Sequence, residues 1–218
     1  MRPHGIPVPP EPLRAASGPQ SASDFLAIGE AWAANAIASM HGGARVLDVG
    51  CGCGKMARHL VLDRSISYHG IDVLRPAIDW ATAAFAAYAE RFRFTHIDVR
   101  STWYNPDGKW LSTEFCFPFG DRSFDFVICG SLFTHLLEKE MRHYLAEIAR
   151  CLKPAGRMMA SIHTSPEQGQ SFSGTVYQID MTPDYWMTAC REIGLSLRSD
   201  LGNIWGQQVY LMEKEPPA

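Results

Sequence analysis

The stretch Val46-Leu47-Asp48-Val49-Gly50-Cys51-Gly52-Cys53-Gly54 decides the fold of this chain. A short, mostly apolar run containing one acid is followed by three alternating glycines, and the next segment, Lys55–Leu60, is compatible with a helix. This order predicts a strand, a tight turn and a helix N-terminus. Because glycine has no Cβ, the backbone N–H groups of such a turn can approach a ligand closely. The stretch therefore predicts a nucleotide-binding turn.

Three kinds of glycine-rich turn have this composition, and their spacing separates them. A phosphate-binding P-loop needs Gly-Lys-Ser/Thr, but Met56 follows Lys55, and its first glycine would fall on Val49. The dinucleotide fingerprint would place its third glycine at Lys55, and Asp48 would bring negative charge near a pyrophosphate. A carboxylate here instead favours a ligand with a cationic sulfonium and ammonium and no phosphate. S-adenosylmethionine has these properties, so we expect it as the cofactor.

The motifs further along the chain resemble those of the Rossmann-like S-adenosylmethionine-dependent methyltransferases. The first motif of that family is an acid followed by Gly-x-Gly-x-Gly. A second acid ends the next strand, as Asp72 does 24 positions after Asp48. The segment Arg93–Val99 is similar to the family's adenine-contacting strand end, and Ser123–Leu136 with Leu152–Gly156 is similar to its later motifs.

This resemblance, which covers roughly residues 20 to 214, implies a set of cofactor-binding residues. Asp72 would accept hydrogen bonds from the ribose diol, although it could instead cap the following helix. Asp98 would accept from the adenine amino group, although it could be only a turn residue. The implied cofactor-binding residues are Asp48, Gly50, Cys51, Gly52, Gly54, Asp72, Val73, Asp98, Val99, Gly130 and Ser131.

Strands and helices alternate along the chain, which predicts right-handed βαβ units and a doubly wound, Rossmann-like α/β fold. We expect a mostly parallel sheet of seven strands, as in the resembling family, with helices on both faces and an antiparallel C-terminal hairpin strand. Ligands of such sheets lie beyond the carboxyl ends of the strands. Five helices are predicted. The first begins at Ser23 and ends near Met40, the second runs from the glycine turn to Asp63, and the third runs from Pro76 through Glu90. The last two cover 136–152 and 183–193.

The composition indicates a single domain over 21–218, preceded by a proline-rich arm over 1–20 in which no regular element is expected. The arm is either disordered or extended, or it lies over the active site or a partner subunit. A net charge of −3 and a pI near 6.2 make a nucleic-acid partner unlikely on electrostatic grounds. With no apolar run of membrane-spanning length, we expect no membrane partner and a cytoplasmic protein with reduced cysteines. The sequence leaves a homodimer open.

An insertion over 100–122 is longer than a strand–helix connection requires and is rich in aromatic residues. Its Tyr-Asn-Pro-x-Gly segment, with the later Phe-Thr-His-Leu, resembles a bacterial subgroup of small-molecule methyltransferases. The aromatic side chains either cap the sheet locally or form the wall of a substrate pocket, with Trp103 and Tyr104 as the substrate candidates. Trp205 is either an anchor on the last helix or a further acceptor-site wall. The polar segment 164–181 is either a mobile lid or a disordered connection.

His135 follows the fourth strand, beside the place where a methyl acceptor must meet the sulfonium, so it is a candidate general base for a hydroxyl acceptor. It could instead cap or pack the helix over 136–152. His163, at the end of the fifth strand, is an alternative base. We expect no metal, because Cys51 and Cys53 occupy the variable positions of the glycine turn and do not form a zinc-type pair.

Together these features predict a methyltransferase that uses S-adenosylmethionine, with S-adenosylhomocysteine as product, on a small hydroxylated acceptor such as a sugar or another metabolite. O-methylation is favoured over N-methylation, because no Asn-Pro-Pro-Tyr-like motif follows the fourth strand. Two alternatives remain open. One is a nicotinamide-dependent reductase, and the other is a catalytically inactive cofactor-binding partner protein.

Overall fold

The computed structural model describes residues 5–18 and 21–215, and its central feature is a seven-stranded sheet. The strands lie in the order β3-β2-β1-β4-β5-β9-β8, with β1 to β5 parallel and the β8–β9 hairpin antiparallel. This confirms the predicted fold class. The sheet strands are β1 (Arg45–Val49), β2 (Ser67–Asp72), β3 (Phe92–His96), β4 (Phe124–Cys129), β5 (Leu152–Ile162), β8 (Leu195–Ile204) and β9 (Gln207–Lys214).

Helices cover both faces of the sheet, because the central strands are apolar on both sides. Within β1, Val46 packs into one core with α2 to α4, whereas Leu47 packs into a second core with α5 and α6. Such double-sided burial is typical of parallel sheets. The helices are α1 (Glu11–Ala15), α2 (Ala22–Ser39), α3 (Ala57–Leu60), α4 (Arg75–Ala84), α5 (Glu138–Cys151) and α6 (Pro183–Arg191). No helix in the described ranges is both long and apolar enough to cross a membrane.

Helices α5 and α6 are each slightly shorter than predicted, and three other predicted helix boundaries differ from the structure. Helix α2 begins earlier, because the side chain of Ser21, and not that of Ser23, accepts the N–H of Asp24. Helix α3 has only one turn, because the glycine turn continues to its first residue and Asp63 then closes a turn with Ser65. Helix α4 ends at Ala84, and a short 3₁₀ turn covers Ala86–Tyr88 where the helix was predicted to continue.

The arm contains a regular element that the sequence analysis did not predict. Helix α1 forms because Pro10 is its N-cap and Pro12 lies in its first turn, where a missing N–H breaks no helical hydrogen bond. The side chain of Ile6 is fully buried in the core that contains α2 and α3. The described part of the arm is therefore packed against the domain. Positions 1–4, 19 and 20 of the predicted arm lie outside the described residues.

Part of the segment 164–181 is a docked hairpin and not a disordered connection. Strands β6 (Phe172–Thr175) and β7 (Gln178–Met181) pair in antiparallel fashion. The side chains of Ile179 and Met181 are fully buried, and the N–H of Ile179 donates to the carbonyl of Thr134. The turn of this hairpin consequently faces the loop that follows β4.

Candidate functional site

A cavity of about 440 Å³ lies beyond the carboxyl ends of β1, β2 and β4, where ligands of doubly wound sheets bind. Its volume lies in the range of small-molecule sites. The structure brings together most of the residues that the sequence analysis singled out. Those that line the cavity are Gly50, Cys51, Gly52, Asp72, Val73, Val99, Trp103, Tyr104, Gly130, Ser131 and His135.

The glycine turn is held in place by the end of β2. The N–H groups of Gly50 and Cys51 both donate to the carbonyl of Ile71. Asp72 accepts the N–H of Gly52 at 2.7 Å through one carboxylate oxygen and the N–H of Leu74 at 2.8 Å through the other. Gly50 and Gly52 have φ angles of 81° and 52°, which side-chain-bearing residues rarely adopt. The turn therefore presents bare backbone to the cavity.

Gly54, which the sequence predicts to bind the cofactor, does not line the cavity. Its φ is 74°, and a Cβ there would lie 3.0 Å from the ring of Phe85. Gly54 thus lets the turn pack against Phe85, which follows α4. A glycine is needed at this position for close packing and for the positive φ angle.

The loop after β4 contains a strained residue, Ser131, with a φ of 60°. Its N–H donates to the hydroxyl of Ser161, which donates in turn to the side-chain oxygen of Gln207. The amide nitrogen of Gln207 donates back to the Ser131 hydroxyl at 2.8 Å, closing a ring of hydrogen bonds. Ser161 and Gln207 belong to β5 and β9, and nothing in the local sequence around Ser131 indicated their part in shaping this loop.

Asp48 lies beneath the glycine turn and does not itself line the cavity. Its side chain is fully buried, and one carboxylate oxygen accepts the hydroxyl of Tyr68 at 2.7 Å. The other oxygen is buried and has no hydrogen-bond partner among residues 5–18 and 21–215. Burial raises the pKa of Asp48 to about 7. An unpaired acid of this kind fits a site that a positively charged ligand would complete, since such a ligand would favour the ionised form.

The raised pKa of Asp48 predicts that Asp48→Asn will stabilise the ligand-free protein at high pH. The folded-state pKa lies above the unfolded value near 3.8, so the wild type loses stability as the pH rises through this window and no further above pH 7. Between pH 5 and pH 8 the advantage of the variant should grow by about 2–3 kcal/mol. Thermal unfolding of both proteins at the two pH values measures this difference. A variant whose relative melting temperature does not change with pH would contradict it.

The described part of the N-terminal arm forms one wall of the cavity. Leu13 and Ser17 line the cavity from this side. The buried guanidinium of Arg58, whose pKa burial lowers, donates to the carbonyls of Ile6 at 2.8 Å and Pro7 at 3.3 Å. Lys55 donates to the carbonyl of Ser17 at 2.9 Å. Cations beside the glycine turn therefore fasten the arm.

We predict that Arg58→Met will release the arm without unfolding the domain. The change removes charge-assisted hydrogen bonds, each with a contribution of about 1.5–3 kcal/mol, while the apolar side chain of Met still fills the buried space. Limited trypsin digestion should then cut after Arg14 at least about tenfold faster than in the wild type. Arg64→Met, the same change at an exposed arginine, is the matched control. Equal cleavage rates in the two variants would show that Arg58 does not hold the arm.

The aromatic residues of the insertion are divided between the core and the cavity. Phe117 is buried in the core against Tyr144. Trp103 and Tyr104 instead line the cavity, and the Trp103 ring contacts Tyr177 of the β6–β7 hairpin edge to face at 4.5 Å. Trp103 and Tyr177 remain 54% and 62% exposed at the mouth of the cavity. These two rings form an aromatic rim on one side of the opening.

His135 lies within the cavity wall, with its ring against that of Tyr104. Its Nδ1 is 3.2 Å from the carbonyl oxygen of Val176, and because a carbonyl can only accept, Nδ1 carries the proton. Burial lowers the pKa of His135, so the ring is neutral at pH 7. The remaining nitrogen, Nε2, is then a proton acceptor.

Besides Asp48 and Gly54, three predicted site residues do not line the cavity. Asp98 is exposed, and its carboxylate accepts the side-chain amide of Asn105. His163 pairs with β7 through its backbone, outside the cavity. Trp205 lies at the tip of the β8–β9 hairpin and is 61% exposed, so it is neither a wall of the cavity nor buried against a helix. No cluster of potential metal ligands occurs in the described part of the chain.

Comparison with known proteins matches residues 46–156 to a family described as a methyltransferase domain. The O-methyltransferase cnsE of Penicillium expansum is 28% identical over 131 residues, which cover 57% of this chain and 41% of that protein. The glycine N-methyltransferase of Rattus norvegicus is 31% identical over 125 residues, covering 55% and 40%. The chain thus matches about two fifths of the length of these curated relatives.

Solved structures share the fold at low sequence identity. One is the 1,6-didemethyltoxoflavin-N1-methyltransferase of Burkholderia thailandensis, which was solved with 1,6-didemethyltoxoflavin and S-adenosylhomocysteine bound. It superposes with a TM-score of 0.68 at 17% identity, covering 98% of this chain and 94% of that one. This likeness supports the Rossmann-like architecture.

Proposed function

The chain belongs to the methyltransferase domain family, and from this premise we propose that it is an S-adenosylmethionine-dependent methyltransferase acting on a small hydroxylated acceptor. The observation that carries the proposal is the cavity at the strand ends. There the bare glycine turn, the Asp72 carboxylate and the loop after β4 converge. The P-loop spacing is absent from this turn, and the third glycine of a dinucleotide turn, counted from Gly50, would fall on Lys55.

The residues around the glycine turn fit the cofactor. The unpaired oxygen of Asp48 and the carboxylate of Asp72 provide negative charge for a cationic ligand. Asp72 would accept from the ribose hydroxyls, and Val73 and Val99 would provide an apolar surface for the base. When bound, S-adenosylmethionine supplies an electrophilic methyl group on a sulfonium.

The part of the cavity around His135 supports the acceptor part of the proposal. Tyr104 and the turn of the β6–β7 hairpin enclose His135, whose Nε2 would take the proton of an acceptor hydroxyl as the methyl group is transferred. The aromatic rim of Trp103 and Tyr177 would hold the body of the acceptor and exclude water. Among the relatives, the name of cnsE is consistent with O-methylation, whereas the rat enzyme methylates nitrogen, so the acceptor atom is part of the proposal.

Calorimetric titration followed by a transfer assay tests this function. The protein should bind S-adenosylhomocysteine, and with labelled S-adenosylmethionine it should methylate members of a panel of sugars, phenols and other hydroxylated metabolites. NMR of the product then identifies the methylated atom. Failure to bind S-adenosylhomocysteine would overturn the proposal, and binding of NADH instead would favour a reductase. Cofactor binding without transfer to any panel member would favour an inactive partner protein.

A further inference from the structure

Three polar residues on one wall of the cavity have no role in the function proposed so far. Ser112 lies in the middle of the insertion, and Glu140 and Tyr144 lie one turn apart on α5. All three line the same cavity as Asp72, Val73 and Val99. Their position in the sequence gave no indication of this, because an acid in a first helical turn and a tyrosine on an apolar helix face both have structural explanations.

The Glu140 carboxylate is fixed in orientation and remains a hydrogen-bond acceptor. One oxygen accepts the hydroxyl of Ser112, and the other accepts the N–H of Leu137, the N-cap residue of α5, at 2.8 Å. Within the described ranges, no Lys or Arg nitrogen lies within 4.0 Å of it. Each carboxylate oxygen has a second lone pair, so Glu140 can still accept from a ligand donor.

The hydroxyl of Tyr144 is the independent observation that indicates a ligand here. The residue is only 3% exposed and lines the cavity, yet its hydroxyl forms no hydrogen bond with any other residue in 5–18 or 21–215. Burial raises the pKa of Tyr144, and the carboxylates of Glu140 and Asp72 raise it further. The phenol therefore keeps its proton and is available as a donor. Glu140 and Tyr144 are four residues apart on α5, so their side chains are neighbours on one face of the helix, and both line the cavity.

We propose that Glu140 and Tyr144 bind the 6-aminopurine edge of the cofactor. The carboxylate accepts from the exocyclic amino group, and the phenol donates to the adjacent ring nitrogen. An acceptor beside a donor is the complement of an adenine edge, which presents an amino donor beside a nitrogen acceptor. This inference rests on the proposed function. The contact with the adenine amino group, which the sequence predicts for Asp98, is thereby assigned to Glu140 on α5. The carboxylate of Asp98 is exposed and accepts a hydrogen bond from the side-chain amide of Asn105.

The site lies where the base of the cofactor must lie. Asp72 marks the ribose, and the Val73 and Val99 side of the cavity extends from it towards the end of β3. The insertion brings Ser112 to this region, because Trp110 pairs with Val99 in a short bridge. His135 and the aromatic rim are thereby left for the acceptor.

Calorimetry with S-adenosylhomocysteine and S-inosylhomocysteine tests the proposal directly. The inosyl compound replaces the amino group by a carbonyl and protonates the adjacent nitrogen, which reverses donor and acceptor. The wild type should prefer the adenosyl compound by at least about 30-fold, since a site built to bind one edge rejects its reverse. Glu140→Gln should narrow this preference by about tenfold or more, because the glutamine amide can donate to the carbonyl. Tyr144→Phe should weaken binding of the adenosyl compound about five- to tenfold.

Two control variants make the test decisive. Glu138→Gln removes the same charge from the same helical turn but outside the cavity, and should leave the preference unchanged. Asp98→Asn should also leave it unchanged. Two results would overturn the assignment. One is a smaller preference for the adenosyl compound in Asp98→Asn. The other is an unchanged preference in folded Glu140→Gln together with unchanged binding of the adenosyl compound by Tyr144→Phe. Wild-type protein that does not bind S-adenosylhomocysteine at all would instead overturn the proposed function.

Discussion

Replacing Asp72 with alanine will reduce the affinity for S-adenosylhomocysteine by at least about 100-fold. The carboxylate has two roles in the structure. It accepts the N–H groups of Gly52 and Leu74, and it faces the cavity where a ribose diol would donate to it. Loss of two charge-assisted hydrogen bonds to the ligand, at about 1.5–3 kcal/mol each, is sufficient for this effect. Calorimetric titration of purified Asp72→Ala and wild type measures it.

A measurement of stability distinguishes the role of Asp72 in ligand binding from its role in supporting the glycine turn. Without its acceptor the N–H of Gly52 is unpaired, so Asp72→Ala should also lower the free energy of unfolding by about 1–3 kcal/mol. Asp79→Ala, at an exposed aspartate on α4, should change neither quantity. If Asp72 only caps the following helix, the alternative left open by the sequence, Asp72→Ala will lose stability but keep its affinity to within a few-fold.

The parts of the site that follow from strand ends could be predicted from the sequence. A glycine turn after β1, an acid at the end of β2 and a small residue after β4 are all set by short local patterns. The parallel sheet brings them to one edge because all carboxyl ends of its parallel strands meet there. Gly50, Asp72 and Gly130 line the cavity for this reason, and their position at strand ends follows from local sequence alone.

Features that depend on side-chain direction or on distant packing could not be predicted in this way. Asp98 follows β3 as expected, but Asn105 of the insertion binds its carboxylate outside the cavity. His163 follows the fifth strand, as expected for a candidate base. Its backbone pairs with β7, however, and it does not line the cavity. The attachment of the arm depends on Arg58, whose partners are backbone carbonyls about 50 residues away in sequence. No spacing rule encodes such contacts.

The two halves of the cavity therefore have different origins in the sequence. The half of the cavity proposed for the cofactor is formed mostly by strand ends, whereas the half proposed for the acceptor is formed by Trp103 and Tyr104 of the insertion, His135 and the β6–β7 hairpin. Loops of this kind vary independently of the sheet that carries them. A change in the acceptor half should consequently alter turnover while leaving cofactor affinity intact, and His135 offers the clearest test.

We expect His135→Ala to lower turnover by about 100- to 1,000-fold while the affinity for S-adenosylhomocysteine stays within about threefold of the wild type. The expected loss corresponds to removal of a general base, because Nε2 is the proton acceptor of a ring whose Nδ1–H is held by the Val176 carbonyl. Steady-state kinetics with an acceptor found in the transfer assay, together with calorimetry, measures the two quantities. His163→Ala, which alters a histidine outside the cavity, should retain nearly full turnover.

The pH dependence of the reaction distinguishes a base from a packing residue. Burial lowers the pKa of His135 below its ordinary value of 6.5, so the neutral form that accepts a proton is present above that pKa. Wild-type turnover should fall as the pH decreases through a value below 6.5, and His135→Ala should lack this limb of the profile. Added imidazole should restore part of the activity of the variant, because the alanine leaves space in the cavity wall. A variant that loses turnover but keeps the acidic limb, or that imidazole does not rescue, would indicate that His135 only packs against Tyr104.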